Sequence, residues 1–279
     1  MSLFAIALLV AAAAAARGTW SPCGLSMVSA INPLAERGRG NRYWLTTCWF
    51  VLGSVLGGLL LGLVAAGPAW LVSAVPDGQI TTWSIALLGL AGCLVALAAD
   101  RRVAGFHLPL HPRQVNERWL NQYRRWLYAA GFGFQIGTGF ATYIMTAATY
   151  LVVALVALTG SPVQAVLTGL VFGLVRGAAV LLAARCRTPQ QLRALHSRLE
   201  LLAPASLRAV MLVEAIAAVL LADRAAGWAA AAAALLAAAI FSAPWINPRF
   251  AQDWSVTQDS AQPGRAPVPG QRLVVTAPH

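Results

Sequence analysis

Apolar residues along this chain fall into long uninterrupted blocks, each set off by a segment rich in arginine, proline or glycine. Blocks near 20 residues without a charge have the length of a membrane-spanning helix. A first span opens at Ser2, and further spans are predicted over residues 44–66, 83–99, 131–158, 162–184, 206–221 and 227–243, seven in all. The first is irregular. Its uncharged part, residues 2–16, makes about 22 Å of helix against a hydrocarbon core of about 30 Å, so the span is unfinished at Arg17. Completing it takes the chain through Gly18 and Pro22 at membrane depth, which is tolerated only where irregular backbone is buried in protein or lines a wet cavity.

The residues at that break have readable local chemistry. Ser21 is a good N-cap, Pro22 suits the first helical position, and Cys23 then falls in the first turn, where the helix dipole and free N–H groups stabilise a thiolate. The alternative is an inert buried cysteine ahead of a Pro-kinked helix. A cleaved signal peptide over residues 2–16 is the other reading of the N-terminus. Against it stand the missing positive n-region and the half-helix that cleavage would leave without a partner.

The second span carries Gly53/Gly57 and Gly58/Gly62 at the small-xxx-small spacing that lets helices approach closely. The stretch 131–158 is too long for one straight crossing, has glycines at 131, 133, 137 and 139, and resembles the opening of the chain. A slide of 119 places Gly18-Thr19 on Gly137-Thr138, Leu25 on Ile144 and Cys23 on Thr142; a slide of 120 pairs Gly53 with Gly173 and Gly57 with Gly177. The order of broken helix, glycine helix and third helix thus occurs twice. The expected fold is an all-α integral membrane protein, a three-plus-three inverted repeat with broken first and fourth helices plus one extra C-terminal helix. Its expected parts are a first repeat over 1–99, an Arg/aromatic interfacial loop over 100–128, a second repeat over 129–221, an extra span over 222–245, and a disordered tail over 246–279.

Composition agrees with that class, at 59% hydrophobic and 10% charged residues, and excludes a soluble domain. All 20 basic residues are arginine, giving a net charge of +11 whose distribution matters more than its size. The successive inter-span loops carry three, none, six, none, four or five, and one. By the positive-inside rule the odd loops and the tail are cytoplasmic and the N-terminus lies outside the cell membrane. Trp119, Tyr123 and Trp126, beside Arg118, Arg124 and Arg125, read as an interfacial amphipathic helix on the lipid bilayer. Nucleic-acid binding is not expected. The four cysteines, Cys23, Cys48, Cys93 and Cys186, show no CxxC or His/Cys metal spacing, and His107 and His111 flank Pro109, so no metal site and no cofactor are expected.

Two charges stand alone inside spans, Arg176 and Glu214, and are expected to face the bundle interior as a pair, either as a structural ion pair or as part of a site. A snorkelling arginine is the other option. With Arg17, Ser21, Pro22, Gln135 and Thr142 they make up the expected cavity around Cys23.

Trp20-Ser-Pro-Cys-Gly-Leu-Ser in a broken first helix, an outside N-terminus and the inverted repeat resemble the CcdA/DsbD transmembrane thiol-redox family, whose first-helix motif is similar to Ser-Pro-Cys-x-Leu-Pro. The likeness covers about residues 2–221, with Ser21-Pro22-Cys23-x-Leu25 its specific part. It implies thiol–disulfide electron transfer of the kind used in cytochrome c biogenesis, with a thioredoxin-like partner and a second cysteine in the fourth helix; that position is Thr142 here, and the motif's last proline is Ser26. The expected function is therefore a relay of reducing equivalents or sulfur species with Cys23 as its catalytic residue. A small-solute exporter of the related LysE-like architecture and a non-catalytic membrane subunit are the alternatives.

Overall fold

The computed structural model describes residues 2–76, 81–106, 122–227 and 231, and every regular element among them is helical. Helix α1 (Leu3–Arg17) starts on Ser2, whose Oγ accepts the Ala5 N–H at 3.2 Å. A 3₁₀ turn, Gly18–Trp20, follows it, and Ser21 alone is extended. Ser21 Oγ accepts the Gly24 N–H at 3.0 Å and Pro22 takes the first position of α2 (Pro22–Ala30), so the break is narrower than expected. Next come α3 (Pro33–Gly38), α4 (Tyr43–Ser73) and α5 (Thr82–Asp100). The second break is wider: α6 (Arg125–Gly137) and α7 (Ala148–Leu158) are separated by ten irregular residues, 138–147. Then follow α8 (Pro162–Ala178), a 3₁₀ extension to Ala183, and α9 (Pro189–Ala226).

Among the described residues, five stretches are long and apolar enough to cross a bilayer: Leu3–Trp20, Tyr43–Ser73, Thr82–Asp100, Pro162–Ala183 and Pro189–Ala226. They fit a multi-pass membrane protein, and α4 carries the signature of one. Many of its large side chains point outward, with Trp44, Leu52, Leu56, Leu63 and Val64 exposed, while Gly53, Gly57, Gly58, Gly62 and Ala65 point inward beside Phe50 and Leu61. Lipid solvates leucine as well as a protein core does, so helices associate through close backbone approach instead.

The two glycine pairs of α4 serve two different neighbours. A Cβ at Gly53 would lie 2.1 Å from the Ala130 carbonyl and one at Gly57 2.2 Å from that of Phe134, both on α6. A Cβ at Gly58 would lie 2.2 Å from the Gly169 carbonyl and one at Gly62 2.8 Å from that of Ala165, both on α8. Ser54, within the first pair, donates from its Oγ to the Gly173 carbonyl at 2.7 Å. Around this triple helix α1 packs on α7, α8 and α9, and α5 packs on α9.

Two expected loops are helix. The second span does not stop at residue 66 but runs through Gly67 and Pro68 to Ser73. Proline removes one bond of the ladder, and in hydrocarbon ending the helix would leave several more groups unsatisfied. The Arg-rich stretch from 185 to 208 belongs mostly to α9, 38 residues or about 57 Å long, which runs through Pro204 and through the expected turn at Asp223-Arg224. Its start is a capping box in which Thr188 and Gln191 satisfy each other's backbone N–H groups, with Pro189 at the first position. Among the described residues there are thus five long apolar stretches, the first of them continued by α2, and the half-helix pair α6 and α7, against an expectation of seven spans in an inverted repeat. Residues 246–279, nearly all of the expected span 227–243, and Trp119 of the interfacial helix lie outside the described residues. Trp126 opens α6 and its ring centroid lies 6.3 Å from that of Trp49.

Candidate functional site at the two helix breaks

A helix interrupted inside a bundle exposes carbonyls at one cut end and N–H groups at the other. The second break supplies both, and each end meets a side chain of opposite polarity. At the C-terminal end of α6, Arg176 of α8 donates from Nε to the Ile136 carbonyl at 2.9 Å and from Nη2 to Thr142 Oγ1 at 3.3 Å. At the N-terminal end of α7, Asp100 accepts the Ala147 N–H and the Thr146 hydroxyl. A cation at a helix C-terminus and an anion at an N-terminus both follow the helix dipole. Thr146 and Ala147 are thereby tied to the end of α5.

The same guanidinium reaches the first break. Arg176 lies over Gly18 so closely that a Cβ there would stand 1.0 Å from Nη1, and Cys23 lies near it. Arg176 is 5% exposed. The crevice it borders, lined also by Ala14, Gly18, Tyr143, Thr146 and Phe172, is too narrow for a water-sized sphere. Arg176, Thr142, Gly18 and Cys23 are therefore gathered as one centre.

Other expected site residues lie elsewhere. Ser21 is used locally: its Oγ caps α2 and donates to the Gly18 carbonyl at 2.7 Å, with Pro22 completing the helix start. Gln135 sits half-buried on α6 outside the crevice. Arg17 turns to α9, donating from Nη1 to the Ala203 carbonyl at 3.1 Å and to Ser206 Oγ at 2.7 Å, just ahead of and behind Pro204, and it lies in the field of Asp100.

The expected Arg176–Glu214 pair does not form. The Arg176 donors go to Ile136 and Thr142, whereas Glu214, fully buried on α9, is in the field of Asp100 and has neither carboxyl oxygen hydrogen-bonded among the described residues. The reason is topological: α1 packs against both α8 and α9. All four cysteines are free, Cys23, Cys93 and Cys186 buried and Cys48 exposed.

Sequence reasoning missed Asp100, which reads as the polar end of a span, and Glu36, which reads as part of a loop. Glu36 is fully buried and accepts from Arg39 Nη1 at 2.7 Å, Thr46 Oγ1 at 2.7 Å and the Tyr128 hydroxyl at 2.9 Å, pinning α3 to α4 and α6. The only advance signal is Arg39 three residues on, on the same face of a helix. Glu36→Ala strips three donors of their acceptor and is expected to lower unfolding free energy by about 3–5 kcal/mol in a detergent denaturation titration. Tyr128→Phe, which leaves the other two donors in place, is expected to lower it by about 1 kcal/mol.

These features define a class: a polytopic helical membrane protein in which two cut helices meet on one buried arginine. Among known proteins the chain is similar to three that bear the name methylamine utilization protein MauF. The one from Paracoccus versutus is 30% identical over 175 residues, covering 61% of this chain and 63% of its own length. That from Paracoccus denitrificans is 28% identical over 172 residues, 60% and 61% of the two chains, and that from Methylophilus methylotrophus 27% over 165 residues, 57% and 55%. The chain thus spans less than two thirds of the length of these curated relatives. No family model and no solved structure matches it.

These relatives overturn the resemblance to the CcdA/DsbD family. They are named for methylamine utilization, not for thiol–disulfide electron transfer, cytochrome c biogenesis or solute export, so both the Cys23 relay and the exporter reading are set aside. The physical reason is visible at the motif. Ser21 and Pro22 do there what an N-cap and a first helical position do in any protein, and a five-residue match built on that is helix-start chemistry more than family signature.

Proposed function

We propose that this chain is a membrane-embedded accessory component of methylamine utilization, with the Arg176 centre holding its two broken helices in the geometry a partner recognises. The observation that carries the reading is the placement of Arg176. A fully surrounded guanidinium bonded to two uncharged oxygens is an expensive feature at membrane depth, and such residues usually mark function. The similarity to the MauF proteins supplies the process.

In this reading the arginine-bearing loops face the cytoplasm, the N-terminus lies outside, and the membrane is the cell membrane. Residues 1–99 and 129–221 act as two inverted halves, α1 with α2 answering α6 with α7. Gly18, Cys23, Thr142 and Arg176 form the site, and Cys23 serves by packing and polarity.

The test is growth. A Paracoccus versutus strain lacking its MauF, given this chain, is expected to regain growth on methylamine as sole nitrogen source. Arg176→Ala should fail to restore it and Cys23→Ser should succeed, with growth on ammonium unchanged throughout. Restoration by Arg176→Ala at normal membrane levels, or none by the unaltered chain, would overturn the proposal.

A further inference from the structure

Glu214 lies midway along the apolar part of α9, is 0% exposed, and has no hydrogen bond to either carboxyl oxygen among the described residues. Among the described residues α5 and α1 pack along α9. Helix α5 brings Cys93 and Asp100 towards Glu214, with Arg101 nearer Arg208 at the helix end, while Arg17 of α1 bonds to Ala203 and Ser206, more than two turns before Glu214 on α9. Two carboxyl groups, Asp100 and Glu214, therefore face each other. Asp100 has the donors: the Thr146 hydroxyl, the Ala147 N–H at the positive end of α7, and the field of Arg17. Each of these stabilises an anion, and Glu214 has none of them.

We propose that Glu214 is a proton-binding site inside the membrane, a carboxylic acid that keeps its proton because it is wholly enclosed and no donor reaches either of its oxygens. An anion with no donor in hydrocarbon would be far costlier than a neutral carboxyl. Asp100 is half-buried while Glu214 is fully buried, so a proton coming from the aqueous edge meets Asp100 first and Glu214 behind it. The ligand is a single proton, and the site is separate from the Arg176 centre.

Infrared spectroscopy of the full chain in micelles of a detergent without carbonyl groups tests this at neutral pH, reading the carbonyl stretch that only a protonated carboxyl then shows. The unaltered protein is expected to give that band, Glu214→Gln to lose it, and Glu214→Asp, which keeps a carboxyl, to shift it. Asp100→Asn, which still leaves Glu214 without a donor, is expected to keep it. If Glu214→Gln does not fold, Glu214→Asp and Asp100→Asn decide. No band in the unaltered protein, the same band in folded Glu214→Gln, an unshifted band in Glu214→Asp, or a band lost in Asp100→Asn would overturn the assignment.

Discussion

Gly18→Ala is expected to unseat Arg176 and to destabilise the protein by about 3 kcal/mol or more, the sum of two hydrogen bonds made by a charged donor. The new Cβ would stand 1.0 Å from Nη1 and 2.2 Å from Cζ, so the guanidinium must move. A flexible side chain usually yields cheaply to such a clash. This one is boxed in at 5% exposure, and any displacement gives up the Ile136 carbonyl, Thr142 Oγ1, or both. A double-mutant cycle checks the mechanism. On an Arg176→Met background, Gly18→Ala should cost much less than on the native one, because the group it collides with has gone and the partners are already lost. Equal costs on both backgrounds would place the harm in the backbone at Gly18 and not in the arginine. The readout is denaturant unfolding in micelles, with the growth assay run in parallel.

The second large effect belongs to the glycine seams of α4. Gly58→Ala puts a Cβ 2.2 Å from the Gly169 carbonyl and 2.7 Å from the Gly173 Cα, backbone against backbone, where no rotamer gives relief. Helix α8 has to move away, and α8 carries Arg176. Overpacking of this kind costs about 1–3 kcal/mol, and the loosened α4–α8 contact is expected to lower the midpoint of thermal unfolding clearly. Gly67→Ala is the control on the same helix. Nothing but its chain neighbours lies within 4 Å of a Cβ there, and the helix-propensity gain of about 0.5–1 kcal/mol is offset by crowding of the new Cβ against Pro68, so the midpoint is expected to stay near the native one. Similar shifts of the same sign at both positions would show that α4 is not a tight seam.

The glycines show how far a sequence can be read. Gly53/Gly57 and Gly58/Gly62 announce close approach by spacing alone, since only small residues admit a neighbouring backbone. That one pair meets α6 and the other α8 depends on how three helices sit around one axis, and spacing along one of them is silent about that. Pro68 and Pro204 mislead in the opposite direction. Proline ends helices in water, where freed carbonyls find other partners, but here continuing the helix is the cheaper course.

What the residues determined by themselves is the membrane class and the first break. Solvation by lipid is a matter of composition over about 20 residues, and an N-cap serine before proline acts within a single turn, so neither needs a distant partner. What only the tertiary structure decided is which charge meets which. Arg176 finds its acceptors 40 and 34 residues away, Arg17 finds Ala203 186 residues away, and Glu214 is left to Asp100 with α1 packed on both α8 and α9. Electrostatic partners are chosen by neighbourhood in space, and once the helices had packed, the cut end of α6 offered Arg176 better partners than the carboxylate that the chain order suggested, while that of α7 took Asp100.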